Sequence, residues 1–497
     1  MKLKSFQIFR SILVLAVILV GILFLAGCPE PPSSVAEITA FNFLAANNSV
    51  LDTDVDGIVS GNSISADVPW KIDLAGLVAS FEYTGASIAV GTVQQVSGTT
   101  ANDFSSAVVY TVTAEDGSTA DYSVTVSYDH VPSYLSSFEK TDITTSASSS
   151  NYIQSADIDG DGDYDLVGTT FAPGSIHWWE NTTGDGTAWT EHSVDSSVAG
   201  VVFALAEDID GDGDHDIVGT AWTGGYISWW ENSDDVGLSW TEYSVSTSLF
   251  EPTCLDAADF DGDGDVDIFS AEHGSGEIIW WENTEDANPS DWEENWIEHI
   301  IQASYTYAYW VSIGDLTGDG LPDVAGASGG LNKFSYWIND GTMPDDGTAW
   351  TEVLIEDDMT GAISMSLADF DGDGDLDVCG ATLSSDTIAW FENNGDGSSW
   401  TTNTLKSDFD YAMTIGSSDI DLDGDMDILA CAQNDNSIIV WENSAGDASE
   451  WAEHLVTDSF SGARWVDSGD VNGDGFDDII GAALSADSDV AWWKIIE

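Results

Sequence analysis

Asp157-Ile158-Asp159-Gly160-Asp161-Gly162-Asp163-Tyr164-Asp165 places a carboxylate at every odd position of nine residues. Anions packed this densely repel unless a cation sits among them. Hard oxygen ligands in a glycine-bent loop suit Ca²⁺, which takes six to eight oxygens in a flexible shell. Gly162, the sixth residue, supplies the sharp turn that folds the ligands round one centre.

The loop recurs six times, starting at Asp208, Asp259, Asp315, Asp369, Asp419 and Asp470, at spacings of 50 to 56 residues. Such a period is the signature of a repeat architecture. In each copy positions 1, 3, 5 and 9 are predicted to offer side-chain oxygen, and position 7 a backbone carbonyl. The expected ligand sets start with Asp157, Asp159, Asp161, Asp163 and Asp165, then Asp208, Asp210, Asp212, Asp214 and Asp216. The third is Asp259, Asp261, Asp263, Asp265 and Asp267; the fifth, Asp369, Asp371, Asp373, Asp375 and Asp377; the sixth, Asp419, Asp421, Asp423, Asp425 and Asp427. Two copies depart from the pattern and are expected to bind more weakly. The fourth reads Asp315, Thr317, Asp319, Leu321 and Asp323, and the seventh Asp470, Asn472, Asp474, Phe476 and Asp478.

An EF-hand needs Glu at position 12 and flanking helices. Here position 12 is Gly168, Gly219 or Ser270, and the flanks are short β-type runs such as Asp216–Thr220. The loops instead resemble the calcium loops of the FG-GAP and VCBS repeat families, which are similar to the integrin α-chain β-propeller. The resemblance covers roughly residues 135–497 and implies up to seven Ca²⁺ ions.

An aromatic stands 19 residues before each first Asp: Phe138, Trp189, Trp240, Trp296, Trp350, Trp400 and Trp451. An aromatic pair follows most loops, as in Trp178-Trp179, Trp229-Trp230 and Trp280-Trp281. The unit therefore reads as four strands, and seven units as a seven-bladed β-propeller. Adjacent tryptophans fit a sheet buried on both faces. The register is offset. Phe138–Ile143 matches a fourth strand with no blade before it, and the chain ends after a third strand. The N-terminal strand is expected to complete the last blade and close the ring, leaving no free edge.

Residues 36–128 carry no such loop. They read as short alternating strands with a hairpin turn at Asp116-Gly117. A small β-sandwich is predicted, and the segment resembles the immunoglobulin-like modules of bacterial surface proteins. A spacer role is expected of it. Residues 129–133 are read as a linker to the propeller at 134–497.

Lys2, Lys4 and Arg10 precede the apolar run Ile12–Leu25, followed by Leu25-Ala26-Gly27-Cys28. This reads as a secretory signal over residues 1–27. It resembles a bacterial lipobox, which implies cleavage before Cys28, lipid on that residue and anchoring of an exported lipoprotein at the outer membrane or cell surface. Pro29–Ser34 forms a tether. Three cysteines remain in an exported chain of this length, so disulfides do not build it. Cys379 and Cys431 occupy similar places in adjacent repeats, where a bridge and burial as small hydrophobes are both open.

The chain has 89 acidic and 9 basic residues, a formal charge of −80. That balance excludes nucleic acid, whose phosphates need a basic face. His192, His299 and His454 sit at equivalent repeat positions, and no catalytic constellation stands out. Three readings follow: a surface module binding a glycan or protein, a secreted polysaccharide-degrading enzyme, and a structural module without ligand. For the first, the loops at the end away from the acidic loops are irregular and aromatic. Tyr305, Tyr307, Tyr309, Trp310, Tyr411 and Trp465, with Lys333 and Arg464, are the candidate ligand-binding residues. Phe409 and Phe460 lie in the same loops. The competing reading makes these aromatics a plug and pairs Arg464 with an Asp.

Overall fold

The computed structural model describes residues 32–496 apart from 52, 69–71, 73, 129–134, 136, 145–148, 235, 285–295, 342–349 and 485–489. The signal segment, Cys28 and the 129–133 linker lie outside the described residues. No helix of the described residues is long and apolar enough to cross a membrane. The chain divides into two compact units, 1–132 and 133–497.

The described residues of the first unit are all-β apart from one short 3-10 turn, Leu74–Gly76. Glu37–Phe43 and Leu77–Thr84 pair at the centre of a four-stranded sheet; Thr119–Tyr128 and Val108–Thr113 centre a six-stranded one. Alternation along Leu77–Thr84 sends Leu77, Ala79 and Phe81 inward. Phe41, Phe43, Phe81 and Tyr110 then form an edge-to-face aromatic core. The expected hairpin is present, with Thr113 opposite Thr119 and Gly117 at φ 87°.

In the second unit the described residues form seven four-stranded antiparallel sheets. The first comprises Ser150–Ala156, Asp165–Thr170, Ser175–Asn181 and Trp189–Asp195. First strands pack against first strands of the next sheet round a ring, and Ser150–Ala156 meets Ala463–Gly469 to complete it. The last sheet joins both ends of the unit. Phe138–Thr144 pairs with Val490–Ile495, Phe138 opposite Ile495 and Thr144 opposite Val490. The offset register read from the sequence is thus the means of closure.

Every second strand is buried at all six positions, as in Asp216–Ala221 and Asp427–Ala432. Both faces are covered because each sheet is sandwiched by its neighbours, which is why Trp178 and Trp179 are each at most 2% exposed. The second tryptophan also accounts for position 12. A β-carbon on Gly168 would stand 2.8 Å from the Trp179 ring, and on Gly219 2.9 Å from Trp230. In the third repeat Ser270 fills the place and its Oγ accepts a hydrogen bond from Trp281 Nε1 at 2.9 Å. Cys254, Cys379 and Cys431 are buried free thiols, so the bridge between the last two is absent.

Candidate functional site

The loops fold as their sequence dictates. In the first, Gly162 at φ 95° bends the chain, and its N–H donates to Asp157 Oδ2 at 3.1 Å. Asp161 and Asp163 N–H groups donate to the carboxylates two residues back. Asp165 is buried; its oxygens accept from Ile158 N at 3.1 Å and Asn181 N at 2.8 Å. These bonds turn the carboxylates of positions 1, 3 and 9 inward, within 4.8 Å of one another. The same triad converges as Asp208, Asp210 and Asp216, as Asp369, Asp371 and Asp377, and as Asp419, Asp421 and Asp427. In the third loop Asp259, Asp261 and Asp263 converge instead.

Electrostatics suit these clusters to a cation. Oδ1 of Asp157, Asp208 and Asp419 is buried with no hydrogen-bond partner. Such an oxygen is costly unless a cation meets it. Burial is also the main reason the ninth-position carboxyls titrate high, Asp165 and Asp377 at about 7 and Asp216 and Asp427 at about 8. The residues present therefore fit a hard divalent ion.

Two loops satisfy themselves. In the fourth, Asp315 accepts backbone N–H bonds from Gly318, Asp319 and Gly320, and Asp323 from Leu316 and Thr317. In the seventh, Asn472 Nδ2 donates to Asp478 Oδ2 at 2.6 Å, and Lys494 Nζ reaches Asp474 Oδ2 at 3.0 Å. The ammonium supplies a positive charge to that loop.

The sequence reading passed over two residues that follow the aromatic pair. Glu180, Glu231, Glu282, Glu392 and Glu442 stand near the position-3 Asp of their loops and push its carboxyl up, secondary to burial. Three of them hold the repeat histidines, with Glu180, Glu282 and Glu442 bonded to His192, His299 and His454. Lys494 takes the Glu place in the seventh repeat and Ile338 in the fourth, the two repeats whose loops depart. After the Glu comes Asn. Asn232 Nδ2 donates to Ile158 O of the preceding sheet at 3.1 Å; Asn181, Asn393 and Asn443 latch to Val471, Leu316 and Phe370 in the same way. The recurring Trp-Trp-Glu-Asn was the available signal.

At the opposite end of the ring, the expected binding residues separate into two groups. Tyr305, Phe409 and Phe460 are buried edge-on against Trp337, Trp441 and Trp493. Tyr305 OH donates to Gly326 O at 2.9 Å, and Lys333 is ion-paired with Glu352. These three aromatics and Lys333 are structural, because apolar packing and a neighbouring carboxylate satisfy them. Trp310 and Trp465 stack at 5.3 Å and, with Tyr152 and Phe203, plug the channel. Tyr307 and Tyr411 are exposed, at 50% and 38%, and Tyr309 and Arg464 are partly buried beside them. Trp222 and His273, which the sequence did not single out, extend this patch. His273 lies between Trp222 and Tyr307, with ring centres 4.9 and 4.5 Å away.

A closed ring of four-stranded sheets with acidic loops at one end defines a propeller-type repeat protein. The chain belongs to the FG-GAP-like repeat family, whose model matches residues 157–219, 208–270, 259–326, 315–380, 369–430 and 419–481. Residues 39–126 match the family described as SGBP, N-terminal. No curated protein matches. Among solved structures, virginiamycin B lyase from Staphylococcus aureus is similar at 13% identity over 72% of this chain and 99% of that one, with a TM-score of 0.49. An Agrocybe aegerita lectin that recognises non-reducing terminal N-acetylglucosamine is similar at 17% identity, over 69% and 93% of the two chains, with a TM-score of 0.45. At such identity the likeness is one of fold.

Proposed function

We propose that this protein is a cell-surface glycan-binding module, held by lipid on Cys28, whose propeller is stiffened by Ca²⁺. The match of residues 39–126 to the SGBP N-terminal family, surface glycan-binding proteins, carries the glycan reading. The signal-like N-terminus supports the anchor, and the exposed aromatic patch supports a propeller-borne site. A glycan array on the soluble mature chain, read alongside release of polysaccharide fragments, tests it. Retention of a glycan class is the expected result. Fragment release would replace binding with catalysis, and neither outcome would leave only a structural role.

Cys28→Ser is expected to move the protein from the membrane pellet to the soluble fraction. No other apolar run in the sequence approaches the roughly 20 residues that span a bilayer. A variant that still pellets after a high-salt wash places the anchor elsewhere.

Calcium is read as filling the five loops whose carboxylates converge, and neither the fourth nor the seventh. Equilibrium dialysis against labelled calcium is expected to give five ions per chain. The double variant Lys494→Glu, Asn472→Asp restores the pattern of the other repeats and is expected to give six. Seven ions on the unaltered chain would show that Lys494 does not hold the seventh loop.

A further inference from the structure

Five basic residues lie between 135 and 496: Lys140, Lys333, Lys406, Arg464 and Lys494. Each lysine holds a carboxylate. Lys140 meets Asp142 at 2.6 Å, Lys406 meets Glu453 at 3.0 Å, Lys494 meets Asp474 at 3.0 Å, and Lys333 pairs with Glu352. Arg464 alone has no carboxylate within ion-pairing distance among the described residues, although the chain carries 89 acidic side chains. It stands six residues before its loop, and the equivalent residues of the other repeats are Asn151, Val202, Thr253, Tyr309, Ile363 and Met413. None is acidic. Burial acts most on Arg464, followed by Tyr411, Cys431 and Tyr309. Glu251, which acts on Tyr309, is bonded to His273 Nδ1 at 2.8 Å. Arg464 thus keeps an unpaired positive charge at a ring mouth whose described acids, Glu251, Asp386 and Asp410 among them, are engaged with other groups.

A second observation comes from the backbone two residues earlier in each repeat. Ser149, Gly200, Glu251, Tyr307, Gly361, Tyr411 and Gly462 all have φ between 54° and 77°. The turn needs the left-handed conformation in every repeat, and glycine supplies it without strain in three. Tyrosine there is unfavourable for the backbone, so the fold does not require Tyr307 or Tyr411. Both side chains are nevertheless exposed. Of the five exposed large aromatics among the described residues, Phe171, Phe250, Tyr307 and Tyr411 lie at this end and Tyr164 at the other. Beside Arg464 a cleft of about 400 Å³ is lined by Ser149, Asn151, Phe171, Trp222 and Leu484, within the range of about 300–1,000 Å³ of small-molecule sites.

We infer that this mouth binds a carboxylated sugar, a hexuronate unit of an acidic polysaccharide, with its carboxylate on the Arg464 guanidinium and its ring faces against Trp222 and the strained tyrosines. Guanidinium and carboxylate match as a two-point pair, and aromatic faces cover the apolar side of a sugar ring. The inference rests on the glycan-binding reading and narrows it to one chemical class and one face.

Calorimetric titration of the calcium-loaded mature chain tests it. The probes are galacturonate, glucuronate and mannuronate oligomers, each beside its carboxyl-reduced counterpart, and polyglutamate. One hexuronate is expected to bind and its reduced form to bind roughly 10- to 100-fold more weakly, the loss of one charged hydrogen-bonded pair. Arg464→Gln is expected to show the same loss for the acid form alone, and Arg464→Lys a smaller one. Tyr307→Gly and Tyr411→Gly relieve backbone strain, so each is expected to weaken binding severalfold while the melting temperature holds within about 2–4 °C. Equal affinity for acidic and reduced oligomers would overturn the carboxylate assignment and leave the glycan reading standing. Binding of polyglutamate without any sugar would overturn both. Binding of no hexuronate, or full binding by Arg464→Gln, would remove the site from this mouth.

Discussion

Chelating calcium is expected to lower the melting temperature of the purified chain by about 10 °C or more. Extracellular calcium modules bind with Kd of about 10⁻⁴–10⁻³ M. At about 10 mM calcium each filled site then stabilises the fold by roughly 1.4–2.7 kcal/mol, and five sites by about 7–14 kcal/mol. The acidity of the loops adds a pH signature. Without metal, burial holds Asp165 at about 7 and Asp216 and Asp427 at about 8, all above an unfolded Asp. A raised carboxyl stabilises the fold below the unfolded value near 4, and that contribution is lost as pH rises through 7 to 8. The chelated chain should therefore melt lower at pH 8 than at pH 5, and the gap to the calcium-loaded chain should widen over the same interval. Calorimetry with and without chelator at the two pH values decides. Superimposable curves would mean that the loops are Asp-Gly turns without a metal role.

The second large effect is expected from removing residues 134–144. Phe138–Thr144 is the outer strand of the last sheet, and it covers the edge of Val490–Ile495, which carries Trp492 and Trp493. An open strand edge beside two tryptophans is a template for pairing with another chain. The truncated protein should therefore aggregate, or melt at least about 10 °C lower. Residues 36–128 have a core of their own around Phe41, Phe81 and Tyr110, so deleting them should leave the propeller transition within about 2–4 °C. Light scattering and calorimetry on the two deletions separate the cases, and equal behaviour would deny the closing strand its role.

The propeller was legible because its constraints repeat. Seven loops fixed the strand-to-strand turns, aromatic spacing marked the third and fourth strands, and the unpaired strand at Phe138 disclosed the closure. The acidic loops were equally plain, since ligand spacing is local. What failed to show was any contact set by the neighbouring sheet. The Glu after the aromatic pair or its equivalent in five repeats reads as a solvated acid, yet it stands near enough to the position-3 Asp of its loop to act on it. Tyr305 and Tyr307 are two residues apart and look alike in sequence. One fills a hydrophobic slot against Trp337 and the other stands in solvent, a difference decided by packing and a left-handed turn. Lys494 likewise gave no sign that its ammonium reaches a loop 20 residues away.

The way the ring closes also governs how the molecule comes into being. Phe138 and Ile495 pair across nearly the whole length of the unit, so the last sheet cannot form until residue 495 has been made. Contacts of such long range form slowly. Meanwhile a chain emerging N-terminus first carries its own 138–144 strand unmated, and each newly finished copy offers a vacant edge beside Trp492. At high local density, the strand of one molecule competes for the edge of the next. Exchange between copies is then the characteristic misassembly of this architecture, and dilution during refolding its remedy.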